Sequence, residues 1–134
     1  MVVVAGVAFA ASKLGTQAGD TLNGTEESDT LVGAQGADVI NGRMGNDFLY
    51  GDSQNDQVNG NPGDDFIWLD SGSADVGNGG AGDDSIFAAD GTGGDTVDGG
   101  ETEETVGDFC VVDAGDTVVP NSCEDVDTVN PDLP

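Results

Sequence analysis

From Gly15 onward, the apolar residues of this chain return every nine positions. Cut into nines, the sequence reads GTQAGDTLN, GTEESDTLV, GAQGADVIN, GRMGNDFLY, GDSQNDQVN and GNPGDDFIW without a slip. DSGSADVGN follows after one extra residue, Leu69; then come GGAGDDSIF and, after Ala88 and Ala89, DGTGGDTVD. The eighth position holds Leu22, Leu31, Ile40, Leu49, Val58, Ile67, Gly77, Ile86 and Val97. Positions seven to nine read as a short strand whose middle residue points inward, and the Gly/Asp-rich six before it as a turn. A period this short, held over six consecutive units, marks a solenoid and outranks any local propensity.

The sixth position is as regular as the eighth: Asp20, Asp29, Asp38, Asp47, Asp56 and Asp65, then Asp75, Asp84 and Asp95 almost in step. Composition makes that regularity costly. The 134 residues, enough for one domain, include 27 acidic and two basic residues and no histidine, a formal charge of −25. Without the period, such a chain would read as disordered, because its few small apolar residues cannot offset the entropy of ordering. The charge argues against nucleic acid and anionic membranes, which need Lys/Arg patches, and for cations. The absence of histidine excludes Ser–His catalysis, His–metal proteases and imidazole acid–base chemistry.

The nonapeptide resembles the G-G-x-G-x-D-x-U-x repeat of the RTX calcium-binding β-roll family, over residues 15–98. GGAGDD (Gly79–Asp84) matches the first six positions fully, while GAQGAD, GRMGND and GNPGDD keep glycine at positions one and four. The departures are Ala18, Glu27, Gln54 and Ser73 at position four and Gly77 at position eight. The resemblance implies an all-β fold: a parallel β-roll, or two-sided β-solenoid, with two nonapeptides per coil. It implies several Ca²⁺ ions held by Asp20, Asp29, Asp38, Asp47, Asp56, Asp65, Asp75, Asp84 and Asp95. Turn backbone at Gly33, Gly36, Gly42, Gly45, Gly60, Gly63, Gly79, Gly80 and Gly82 would assist them.

The residues support that chemistry independently. If residues 18 apart stack about 4.8 Å apart, Asp20, Asp38, Asp56 and Asp75 line one edge, and Asp29, Asp47, Asp65 and Asp84 the other. Neighbouring carboxylates would then repel by roughly 3 kcal/mol per pair at an effective dielectric of 20. The chain offers almost no Lys or Arg to neutralise them. Calcium, which takes six to eight oxygens, suits carboxylates and the carbonyls of Gly-rich turns better than the tighter octahedron of magnesium. Asp and Gly also favour turns for local reasons, but that preference does not explain a fixed Asp-x-aliphatic register. The in-register pairs Asp20/Asp38, Asp29/Asp47, Asp38/Asp56 and Asp47/Asp65 are the first candidates.

The same stacking predicts two unlike faces. Position nine of the odd units reads Asn23, Asn41, Asn59, Asn78 and Asp98; the asparagines each precede glycine, a turn signal. Position nine of the even units reads Val32, Tyr50, Trp68 and Phe87, and position seven adds Phe48 and Phe66. Phe48, Tyr50, Phe66, Trp68 and Phe87 thus form either a closing layer over a thin core or an interaction face.

Outside the repeat, four segments are expected: an apolar N-terminal stretch 1–14, the roll 15–98, an irregular C-terminal cap 99–126 and an extended tail 127–134. MVVVAGVAFAAS has an A-x-A pattern at Ala8–Ala10 but no basic start, and is too short to span a bilayer. It reads as a signal remnant or as a capping or donor strand for another copy. Cys110 and Cys123 form either a disulfide pinning the cap, which an extracellular chain favours, or two buried thiols. The leading function is a secreted, non-enzymatic calcium-binding β-roll that folds on the ion. The alternative is a structural or adhesive module that assembles head to tail into filaments. Neither reading has a nucleic-acid partner or a membrane span.

Overall fold

In the computed structural model, which describes residues 9–100 and 107–129, every regular element is a β-strand. The expectations for residues 1–8, 101–106 and 130–134 lie outside the described residues. One parallel sheet has the order β1 (Ser12–Leu14), β3 (Thr30–Gln35), β5 (Phe48–Ser53), β7 (Phe66–Trp68), β9 (Ser85–Phe87), β11 (Phe109–Asp113) and β13 (Asp125–Val129). The other has the order β2 (Thr21–Asn23), β4 (Val39–Asn41), β6 (Gln57–Pro62), β8 (Val76–Ala81), β10 (Thr96–Gly100) and β12 (Thr117–Val118). The chain alternates between them at every turn, so the fold is a β-solenoid consistent with the expected β-roll.

Register follows the period. Leu31 pairs with Leu49, Leu49 with Ile67, and Ile40 with Val58, each one coil on. These position-eight side chains are fully buried and form the core, together with Ile86, Val97 and Cys110. Most strands give the core a single aliphatic side chain, so each coil depends on its neighbours for burial.

The extra residues fall elsewhere than the nine-residue count places them. Leu69 itself takes position one: its N–H donates to the Phe87 carbonyl, as the Gly42 N–H does to Asn59. Its side chain is fully buried. A Cβ on Gly77 would lie 3.2 Å from both Leu69 Cδ1 and Ile86 Cγ2. The inserted leucine therefore fills the space that glycine leaves at position eight. Ala88 likewise takes position one, donating to the Val111 carbonyl, and is buried. The surplus residues are absorbed in the solvent-facing turns, where length costs little.

The Asn-Gly pairs make no turns. Asn41 and Asn59 lie within strand pairing, and their amides form a ladder: Asn41 Nδ2 donates to Asn23 Oδ1 and Asn59 Nδ2 to Asn41 Oδ1, each at 3.3 Å. In-register stacking gives each amide an identical partner one coil away, which outweighs the local turn preference. Past residue 98 the same two sheets continue through β11, β12 and β13 at irregular spacing. Cys110 and Cys123 are joined in a disulfide. Closing that loop removes chain entropy worth about 3 kcal/mol.

Candidate metal centre

The aspartates at position six form a ladder along each edge. One carboxylate oxygen, Oδ1, accepts the backbone N–H of the aspartate one coil earlier. The Asp29 N–H reaches Asp47 at 2.7 Å, Asp47 reaches Asp65 at 2.8 Å, and Asp65 reaches Asp84 at 2.7 Å. On the other edge Asp20 reaches Asp38 at 2.6 Å, Asp38 reaches Asp56 at 2.8 Å, Asp56 reaches Asp75 at 2.7 Å and Asp75 reaches Asp95 at 2.8 Å. The ladder fixes each side chain and leaves its second oxygen to point into the turn. Asp29, Asp38, Asp47, Asp56, Asp65, Asp75, Asp84 and Asp95 are all buried, whereas Asp20, at the start of its column, is half-buried.

That second oxygen is where the chemistry collects. Oδ2 of Asp38, Asp47, Asp56, Asp65, Asp75, Asp84 and Asp95 is buried without a hydrogen-bond partner. Such an atom costs about 1–3 kcal/mol or more when charged, so seven in register call for a common counter-charge. The glycines at position one show what else lies there. A Cβ on Gly42 would stand 2.2 Å from Asp47 Oδ2 and 2.8 Å from the Gly60 carbonyl oxygen. On Gly60 it would stand 2.2 Å from Asp65 Oδ2 and 2.6 Å from the Gly79 carbonyl oxygen. Gly33 and Gly79 repeat the arrangement with Asp38 and Asp84. Carboxylate and carbonyl oxygens from successive coils thus converge on one point, kept open by the missing side chain.

Gly36, Gly45, Gly63, Gly80 and Gly82 serve differently: their φ angles lie between +100° and +144°, the left-handed side that bends the turn. Among the described residues, no three acidic or cysteine side chains gather into a single ligand cluster. A hard cation would therefore be shared between coils, with carbonyls completing its shell. The donor set of buried carboxylate oxygens and Gly carbonyls fits Ca²⁺.

Burial shifts the carboxyls of Asp47, Asp56, Asp65, Asp75, Asp84 and Asp95 upward. Desolvation is the largest cause throughout; the backbone N–H bond opposes it, and neighbouring carboxylates add to it. Asp84 is pushed up to about 8, Asp56 and Asp65 to about 7 and Asp75 to about 6; Asp47 and Asp95 are also raised.

Several participants lie outside the regular nine-residue frame, Asp108-Phe-Cys and Asp116-Thr-Val as irregularly spaced echoes of it. Asp108, Asp116 and Glu124 continue the ladder beyond the regular repeat: Asp84 N–H donates to Asp108 Oδ1 at 2.7 Å, Asp95 N–H to Asp116 Oδ1 at 3.1 Å and Asp108 N–H to Glu124 Oε2 at 2.7 Å. A second ladder runs at position five of the even units. Asn46 N–H donates to Ser28 Oγ at 3.1 Å, Asp64 N–H to Asn46 Oδ1 at 3.0 Å, Asp83 N–H to Asp64 Oδ1 at 3.1 Å and Gly107 N–H to Asp83 Oδ1 at 3.2 Å. The letters differ, but all four side chains are short acceptors, which is the signal that could have revealed them.

The aromatic residues lie together on the outer face of the seven-stranded sheet. Phe48 and Phe66 have ring centroids 5.7 Å apart, Phe66 and Phe87 5.0 Å, and Trp68 stacks on Phe87 at 5.5 Å and 18°. Tyr50 pairs with Trp68 in register. Phe48 and Trp68 remain 52% and 41% exposed, so this layer is not closed over by the described residues.

Among the described residues, no helix is long and apolar enough to cross a membrane. Neither the curated proteins nor the solved structures contain a match to the chain. The family model of the RTX calcium-binding nonapeptide repeat does match, in four copies, over residues 14–49 and 42–74. The stacked aspartates, the oxygens aimed into glycine-lined turns and this match agree: over residues 14–74 the chain carries RTX calcium-binding nonapeptide repeats.

Proposed function

We propose that the protein is a secreted, non-enzymatic calcium-binding β-roll whose folding is coupled to the ion. The observation that carries this is the row of buried, unpartnered Oδ2 atoms from Asp38 to Asp95. A glycine carbonyl of the next coil lies beside those of Asp38, Asp47, Asp65 and Asp84, and the Leu69 carbonyl beside that of Asp56. Asp38, Asp47, Asp56, Asp65, Asp75, Asp84 and Asp95 would hold calcium through these atoms. Bound calcium would supply the positive charge that a chain with two basic residues lacks. The position-six ladder sets each carboxylate, and the left-handed turn residues bring the carbonyls round to it. Because an unfolded chain offers no such set of oxygens, binding free energy becomes folding free energy. A disulfide and a high negative charge suit the calcium-rich, oxidising extracellular space.

The test is a circular dichroism titration with calcium alongside calorimetry. β signal should appear with calcium and collapse with EGTA; signal unchanged by EGTA refutes the coupling.

A second reading, an adhesive or self-assembling module, draws support from the exposed rings of Phe48 and Trp68 on one sheet face. It predicts that Tyr50→Ser with Trp68→Ser abolishes assembly while leaving calcium uptake intact. Light scattering that shows only monomers in millimolar calcium removes it.

A further inference from the structure

We infer that, in the turns leading to Asp20 through Asp84, the residue at position two decides which accept calcium, and that Thr16 and Thr25 close the first coil to it. The inference rests on the calcium reading above and refines which turns it covers.

The eight turns whose aspartates run from Asp20 to Asp84 fall into two states. In the first coil each carboxylate is closed by its own turn. The Thr16 N–H donates to Asp20 Oδ2 at 2.6 Å and the Thr16 hydroxyl to the same oxygen at 2.8 Å. The Thr25 N–H donates to Asp29 Oδ2, and its hydroxyl to Asp29 Oδ1 at 3.1 Å. In the next six turns, the residue that follows position one is left-handed: Ala34 at φ 79°, Arg43 at 87°, Asp52 at 79°, Asn61 at 75°, Asp70 at 53° and Gly80 at 116°. The aspartates of those turns, Asp38, Asp47, Asp56, Asp65, Asp75 and Asp84, are the ones whose Oδ2 has no hydrogen-bond partner. State and conformation agree in these eight. In the turn before Asp95, two residues longer, Ala89 follows position one without turning left-handed and Oδ2 is still unpartnered, so the rule covers the shorter turns.

The cause is the β-branch. Two heavy atoms on Cβ make the left-handed region a steep outlier for threonine, whereas Asn, Asp and Gly reach it at low cost. Threonine keeps position two on the ordinary side, and its N–H stays on the carboxylate. An oxygen already holding an N–H, or an N–H and a hydroxyl, is a poor ligand, because the ion would have to displace those bonds. The two threonines thus make the first coil a cap that needs no cation.

The experiment counts calcium ions per chain by native mass spectrometry at saturating calcium, on the full-length protein. Thr16→Asn with Thr25→Asn lets position two turn left-handed; a gain of up to two ions per chain is expected, one for each turn opened. Thr16→Val with Thr25→Val keeps the β-branch and the N–H bond, and should leave the wild-type count. An unchanged count in the Asn variant means the first coil is closed by its terminal place, and overturns the inference. So does a gain in the Val variant. A wild-type chain that takes up no calcium overturns the calcium reading itself, and this inference with it.

Discussion

The two edges of the roll are built from one nonapeptide and are held differently. On both, position-six carboxylates accept N–H groups from the coil before. The even edge, carrying Asp29, Asp47, Asp65 and Asp84, adds the second ladder through Ser28, Asn46, Asp64 and Asp83. The odd edge has Gly19 and Ala37 at that place, and among the described residues a comparable link runs from the Ser73 N–H to Asn55 Oδ1 at 3.2 Å. The even edge gains bonds and also gains charge: Asp64 raises both Asp65 and Asp84. Position five sets how firmly a turn is held, and position six how strongly it calls for a cation. A solenoid can therefore vary stiffness and ion demand separately along one repeat.

The largest expected effect is on stability without calcium as pH changes. A carboxyl raised in the folded state binds its proton more tightly there than in the unfolded chain. Its contribution is fully present below the ordinary value of 3.8 and is lost as pH rises through the folded value. In EGTA, β signal should fall as pH climbs through about 6 to 8, the span of Asp75, Asp56, Asp65 and Asp84. Carboxyl carbon NMR should show Asp84 of the even edge losing its proton last. A calcium-free chain whose β signal is flat or rising to pH 8 breaks this account.

Next in size is the loss of one ladder carboxylate. Asp56→Ala strips the acceptor from the Asp38 N–H, and Asp65→Ala does the same to Asp47, each costing about 1.5–3 kcal/mol. Asp56→Ala should cost more, because the even edge keeps its second ladder. Urea unfolding in saturating calcium orders the two, and the reverse order removes the proposed difference between edges.

Breaking the second ladder should cost less. Asn46 accepts the Asp64 N–H and donates to Asp64 Oδ2 at 3.4 Å, both in exposed positions, so Asn46→Ala should lose about 0.5–1 kcal/mol. Amide exchange at Asp64 should accelerate, with the odd edge unaffected. Equal acceleration on both edges would show that the ladder does not act locally.

How much of this was legible depends on what repeats as a letter. Position eight repeats as aliphatic and position six as aspartate, so the sheets, the core and the aspartate columns could be read directly. Leu69 and Ala88 could not be placed, because counting between aspartates gives turn length but not which residue turns inward. Only the void above Gly77 settles that for Leu69. The second ladder was hidden because Ser28, Asn46, Asp64 and Asp83 share acceptor chemistry and not identity. Asp108-Phe-Cys and Asp116-Thr-Val echo the repeat, but their ladder steps and that of Glu124 span 24, 21 and 16 residues, where no nine-residue frame survives to place them, and Glu124 carries no echo at all.

The smallest effect is the most direct test of position five, because it adds a bond instead of removing one. Ala37 is exposed and sits one coil before Asn55, in the place that Asn46 holds relative to Asp64. An asparagine there would offer its carbonyl oxygen to the Asn55 N–H without adding charge to the edge. Exposure keeps the gain small, about 0.5 kcal/mol, since water already serves both groups. Ala37→Asn should raise the midpoint of urea unfolding in saturating calcium, whereas Ala37→Asp should raise it less, because its charge adds to that of Asp38 and Asp56. If neither variant moves the midpoint while Asn46→Ala lowers it, the ladder depends on its neighbours as a set and cannot be carried one residue at a time.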